Sequence, residues 1–151
     1  MSRYSELIRR LQAADSIVRY AGPQPESRLI ELETKWDLRL PESYREFVLH
    51  HGAGGIPGGE IIGIDDDYMD SEFGTMAPTL YYKRDFGLPD GLFVIQTDPD
   101  GEAIVCLDLR KRIGGESPVV AYSLATRRID GVLAGSFGEY MQKYLEGAIG
   151  D

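Results

Sequence analysis

Leu40-Pro41-Glu42-Ser43-Tyr44-Arg45-Glu46-Phe47-Val48-Leu49-His50-His51, running straight into Gly52-Ala53-Gly54-Gly55-Ile56-Pro57-Gly58-Gly59, is the stretch on which the fold turns. Pro41 suits the first turn of a helix, where its missing N–H has no partner to lose. Tyr44, Phe47, Val48 and His51 then fall along one stripe, and Gly52 stands where a helix would stop. Six of the eighteen glycines lie between Gly52 and Gly63. Such a density reads as a helix stop followed by a tight crossing from helix to sheet.

Upstream the pattern is helical. Tyr4, Leu7, Ile8 and Leu11 follow helical spacing, which predicts a helix over 3–14 with Ser2 as its cap. Ala21-Gly22-Pro23 breaks it, and Pro25 opens a second helix lined by Leu29, Leu32 and Trp36. Downstream the pattern shortens. Glu60–Ile64 reads as a first short strand, 65–75 as an acidic loop and 76–86 as a weakly periodic helix. Leu88-Pro89-Asp90-Gly91 is a turn. Leu92–Ile95 and Ala103–Leu107 are strands, and Asp98-Pro99-Asp100-Gly101 between them predicts an antiparallel hairpin. Pro118–Tyr122 is a further strand. Ser136 and Glu139 form a capping box ahead of the stripe Phe137, Tyr140, Met141, Tyr144, Leu145 and Ala148. Helices, then strands, then a helix predict one α+β domain over residues 1–151, with N-terminal helices and a C-terminal helix packed on a largely antiparallel sheet.

Charge is unevenly spread. The chain has 16 Lys and Arg against 25 Asp and Glu, a net −9. Residues 1–45 and 110–151 each balance at +1, whereas 46–109 hold thirteen carboxylates against Lys83 and Arg84, a balance of −11. Nucleic acid is a poor partner for that segment, because phosphate binding needs cations that displace counterions. A basic protein surface is a better one. A solvated face that keeps the protein soluble is the plainer reading. The lone Cys106 sits in an apolar run, and Arg3, Glu6, Arg9 and Arg10 interrupt any leader-like apolar stretch. No run approaches the roughly 20 apolar residues of a membrane span. A cytoplasmic protein with no membrane association is the expectation.

Catalytic patterns fail one by one. His50 and His51 are adjacent, so on a helix they point apart and share a metal poorly. Ala134-Gly135-Ser136-Phe137-Gly138 approaches a nucleophile elbow, but a hydrolase histidine follows its serine and no histidine occurs after His51. The glycine-rich stretch lacks a phosphate-loop lysine, since none lies between Lys35 and Lys83. Asp65-Asp66-Asp67-Tyr68-Met69-Asp70 invites calcium, yet positions 6 and 12 of an EF-hand loop would be Asp70 and Met76. No catalytic residue, metal or cofactor is expected.

Two groups of segments resemble one family together. Ile30-Glu31-Leu32-Glu33 through Trp36, then Leu40-Pro41-Glu42-Ser43-Tyr44-Arg45-Glu46-Phe47-Val48-Leu49 into Gly52–Gly55, is similar to the N-terminal signature of the SUKH superfamily. The second half is similar too: Leu88-Pro89-Asp90-Gly91-Leu92-Phe93-Val94-Ile95, Gly101-Glu102 before a strand, Ser117-Pro118-Val119-Val120, and Ser136-Phe137 with Glu139-Tyr140. The resemblance spans about 25–145 and departs from the family pattern at His50-His51 and in the acidic loop 65–75. It implies an α+β domain without enzymatic activity. Many bacterial members are immunity proteins that block nuclease toxin domains of polymorphic toxin systems, and others are interaction hubs.

Resemblance and charge together point to a toxin-neutralising protein whose partner is a basic toxin domain. Its contact surface is expected at Asp65, Asp66, Asp67, Asp70 and Glu72, with Tyr68 and Phe73 as aromatic anchors. Asp98, Asp100 and Glu102 on the hairpin form a second acidic lobe. A general interaction module with no toxin partner, and more remotely a carboxylate-dependent hydrolase, are the rival readings.

Overall fold

The apolar stripes read from the sequence do become helices, and they gather on one side of a sheet. The computed structural model describes residues 1–65, 71–97 and 100–149, with the side chains of 71–73 outside that description. In chain order the elements are α1 (Ser5–Ala14), β1 (Arg19–Tyr20), α2 (Glu26–Trp36), α3 (Glu42–His51), β2 (Gly54–Gly55), α4 (Ser71–Phe86), β3 (Leu92–Thr97), β4 (Ala103–Asp108), β5 (Val119–Ser123), β6 (Arg128–Ala134) and α5 (Phe137–Ile149). Strands β3 to β6 form an antiparallel meander, and β1 pairs with β2 in a separate two-stranded sheet. The architecture is α+β, as the element order predicts.

Both faces of the meander are covered, so its inner strands read as continuous apolar runs. Phe93, Ile95, Leu107 and Val119 face the main core with Tyr44 and Phe47 of α3 and Phe137, Met141 and Leu145 of α5. Leu92, Val94, Ile104, Cys106, Val120 and Tyr122 form a second cluster on the other face, with Leu88 and Tyr82. The outer edge of β3 is closed as well: Val94 N–H donates to Thr79 Oγ1 at 2.9 Å, and Ile62 N–H donates to the Ile95 carbonyl at 2.7 Å. Covering an edge in this way removes a template for unwanted strand pairing.

Serine 43 joins the two halves. Its hydroxyl donates to Glu116 Oε1 at 2.6 Å and accepts from the Gly138 N–H at 3.0 Å, while Glu116 Oε2 accepts from the Ser43 N–H. One buried hydroxyl and one carboxylate therefore serve orphan donors at the starts of α3 and α5. The capping box at α5 is present with one shift. Ser136 Oγ accepts from Glu139 N–H at 3.1 Å, but Glu139 Oε2 reaches Gly135 N–H at 3.2 Å. At α1, Ser2 accepts from Tyr4 N–H and donates its own N–H to Ser5 Oγ, so the helix begins at Ser5 rather than residue 3.

Three expectations are corrected. Glu60–Ile64 makes no strand; Ile61 forms only an isolated bridge with Gly54. The N–H groups of Ile61 and Ile64 go to Gly54 and Gly52 while that of Ile62 goes to Ile95, so the bonds are split between two stretches of chain and no ladder develops. Helix α4 starts at Ser71, not 76, and contains Pro78. Its periodicity is weak because it docks partly through hydroxyls: Thr75 Oγ1 donates to the Gly63 carbonyl at 2.8 Å, and Thr79 serves β3. Strands β1, β2 and β6 have no counterpart in the sequence reading. β6 is exposed over six of its seven residues, so it lacks the apolar alternation that marks a half-buried strand.

Candidate functional site

The hairpin β3–β4 gives the molecule two chemically opposite ends. At the turn end, Thr97 pairs with Ile104, and the chain between them carries Asp100 and Glu102, both exposed. The segment leading to Asp65 comes to the same end. Gln96 Nε2 donates to the Gly59 carbonyl at 2.7 Å, and Ile62 bonds Ile95. Asp65 is half-buried and lines a shallow pocket with Glu60, Gly63 and Gly74. Of the contact residues expected from sequence, Asp100 and Glu102 stand at the hairpin turn and Asp65 ends the segment that docks beside β3. Glu72 and Phe73 lie in the first turn of α4. Asp66, Asp67, Tyr68, Asp70 and Asp98 lie outside the described residues.

A close approach of backbones holds this end. A Cβ on Gly63 would stand 1.9 Å from the Gly52 carbonyl oxygen, and one on Gly54 (φ +129°) would stand 2.2 Å from the Arg19 carbonyl oxygen. The crossing expected from the glycine-rich stretch is therefore real, and glycine is required there for space.

The opposite end of the hairpin is basic. Asp108, the last residue of β4, has a side chain only 1% exposed. It receives Arg110 in a two-pronged ion pair, Nε to Oδ1 at 2.9 Å and Nη2 to Oδ2 at 3.1 Å. Those hydrogen bonds hold the Asp108 carboxyl below the usual carboxylate range. Beside it Lys83 Nζ meets Asp90 Oδ1 at 2.6 Å. Arg112 donates to the carbonyl oxygens of Arg39 and Gly115. Together with Arg39, these three cations line a cleft of about 460 Å³ whose apolar wall includes Trp36, Leu38, Met76, Leu80 and Leu109.

Sequence reasoning missed the cleft. The signal was present in Arg110-Lys111-Arg112 directly after a strand. Averaging residues 110–151 to +1 concealed it.

Other singled-out residues have structural partners. His51 Nε2 lies 2.6 Å from Ser2 Oγ, its ring packs on Phe47, and burial, with His50 adding to it, lowers its pKa. Cys106 is fully buried, which pushes its thiol up to about 12. Ser136 is engaged as a helix cap. Among the described residues no group of three His, Cys, Asp or Glu is placed to hold a metal ion. No helix there is long and apolar enough to cross a membrane. Against known families, the model designated SUKH_5 and described as "SMI1-KNR4 cell-wall" matches residues 4–146.

Proposed function

Since the chain belongs to this SMI1-KNR4 family within the SUKH group, we propose that it acts by binding another protein and performs no chemistry of its own. The specific reading is an immunity protein that occupies and blocks a basic toxin domain, a nuclease being the best match in charge. The supporting observation is the acidic end of the hairpin, where Asp100 and Glu102 are exposed and the segment leading to Asp65 docks beside β3. Carboxylates there steer a cationic partner into encounter, and the apolar residues of the same segment supply the desolvated contact. Such a partner would be met in the cytoplasm.

Co-expression with the toxin-like domain encoded by a neighbouring gene tests the reading. Growth rescue and co-purification are expected. Charge reversal at Asp66, Asp67 and Asp70 is expected to slow association and flatten its salt dependence. Full protection with unchanged association kinetics in that variant would remove the acidic surface from the proposal. The cell-wall description of the family favours a second reading, a regulatory interaction module with no toxin partner. Absence of a toxin-like neighbour, with capture of a cell-wall biosynthetic or regulatory protein, would select it.

A further inference from the structure

The basic cleft has properties that a protein-docking role at the acidic end leaves unused. Its volume of about 460 Å³ lies within the range of small-ligand pockets. Its cations come from three separated parts of the chain: Arg39 after α2, Lys83 on α4, and Arg110 with Arg112 after β4. Two of them are already neutralised, Lys83 by Asp90 and Arg110 by the buried Asp108. Arg39 and Arg112 form no ion pair among the described residues. Arg112 is nevertheless held in place, because its guanidinium donates only to backbone carbonyls. Its guanidinium is oriented by neutral acceptors.

The donor chemistry narrows the ligand. Arg39 and Arg112 also line a neighbouring pocket with Glu33 and Glu42, of which Glu33 pairs with Arg45. Carboxylates that near favour a singly charged ligand over a phosphate dianion. A carboxylate suits the planar two-donor edge of a guanidinium. The other wall asks for an apolar body, since Trp36, Leu38, Met76, Leu80 and Leu109 line it. The Trp36 Nε1 donor is buried and lacks a hydrogen-bond partner, a state that buried indoles seldom keep. We propose that this cleft is a binding site for an organic monocarboxylate, its acid group on Arg39 and its apolar body against Trp36, Leu38 and Leu80. The site is independent of the toxin-blocking reading and of the acidic end.

Trp36 is the only tryptophan, so its fluorescence and its indole N–H resonance both report on the cleft. The full chain is titrated with 3-phenylpropionate and with the matched neutral 3-phenylpropanamide. Saturable shifts are expected with the acid, and binding of the amide about tenfold weaker, the worth of one charge-assisted contact. Arg39→Gln is expected to weaken the acid about tenfold and leave the amide unchanged, with partial recovery in Arg39→Lys. A blocked phenylalanyl-aspartate dipeptide separates two sources of the same chemistry: tighter binding than the free acid assigns the site to a segment of a protein partner, and weaker binding assigns it to a free metabolite. No saturable shift up to about 10 mM acid, a range that reaches the weakest specific binding, overturns the proposal. So does equal binding of acid and amide, or an Arg39→Gln variant that binds the acid like the parent.

Discussion

At the turn of the β3–β4 hairpin Asp100 and Glu102 stand exposed, whereas at the open end of the same two strands Asp108 is buried and grips Arg110. β3 is six residues long, so the two ends lie about 20 Å apart. They are built in opposite ways. Beside the acidic end the segment leading to Asp65 is fixed by glycine crossings, and Glu102 makes no ion pair among the described residues. The basic end has its side chains fixed, through a buried carboxylate, an ion pair and two carbonyl acceptors. Exposed charges act through their field, which steers partners and is screened by salt. Oriented charges beside an apolar wall can recognise shape.

The largest test of this contrast is Gly63→Ala. The added methyl would meet the Gly52 carbonyl at 1.9 Å, so the crossing must part. A loss of about 3 kcal/mol in denaturant unfolding is expected, in the range of severe single substitutions, and a near-neutral result would mean that the acidic end is not held by this contact. Next comes Asp108→Ala, which leaves Arg110 without its partner. The expected cost is about 2 kcal/mol, the worth of hydrogen bonds to a charged group with the exposed arginine discounted. If Asp108→Ala matches the parent in chemical denaturation, the basic end is not locked as described.

Acidification separates two further contributions. His51 has a lowered pKa in the folded state, so the unfolded chain takes up the proton first, and stability begins to fall as pH drops through about 6.5. Asp108 also has a lowered folded pKa. Its contribution is complete above the ordinary carboxyl value of 3.8 and is lost as pH falls through its folded value. Thermal unfolding across pH should show both declines, and His51→Gln should abolish only the upper one. The smallest effect belongs to Asp100→Lys with Glu102→Lys. Stability should stay within about 0.5 kcal/mol, as for surface changes generally, while association with a basic partner slows at low salt. A large stability loss there would erase the distinction between the two ends.

Legibility followed the range of the interactions. The α3 stripe, the Gly52 stop, the β3–β4 hairpin and the α5 cap were readable because each depends on residues within a few positions of one another. β6 was invisible for a physical reason: Ile129, Val132 and Leu133 lie 37%, 65% and 40% exposed, and an edge strand with little burial leaves no alternation. Glu60–Ile64 misled because an apolar triplet fits a strand locally, while its N–H groups are claimed by Gly54, Ile95 and Gly52. The acidic segment was visible as composition, whereas the docking of residues 59–62 beside β3 followed only from the Gln96 and Ile62 contacts.

Local pattern alone determined the helices, the hairpin, the α+β class and the family, since helix periodicity, turn chemistry and motif spacing are written along the chain. Tertiary structure decided which charges meet. Arg39, Lys83, Arg110 and Arg112 stand as many as 73 positions apart, the separation of Arg39 and Arg112. Only the packing of α2 and α4 beside the ends of β3 and β4 sets them around one apolar wall. Periodicity describes neighbours along a helix or strand, and a cleft between elements is made of residues that are not neighbours in that sense.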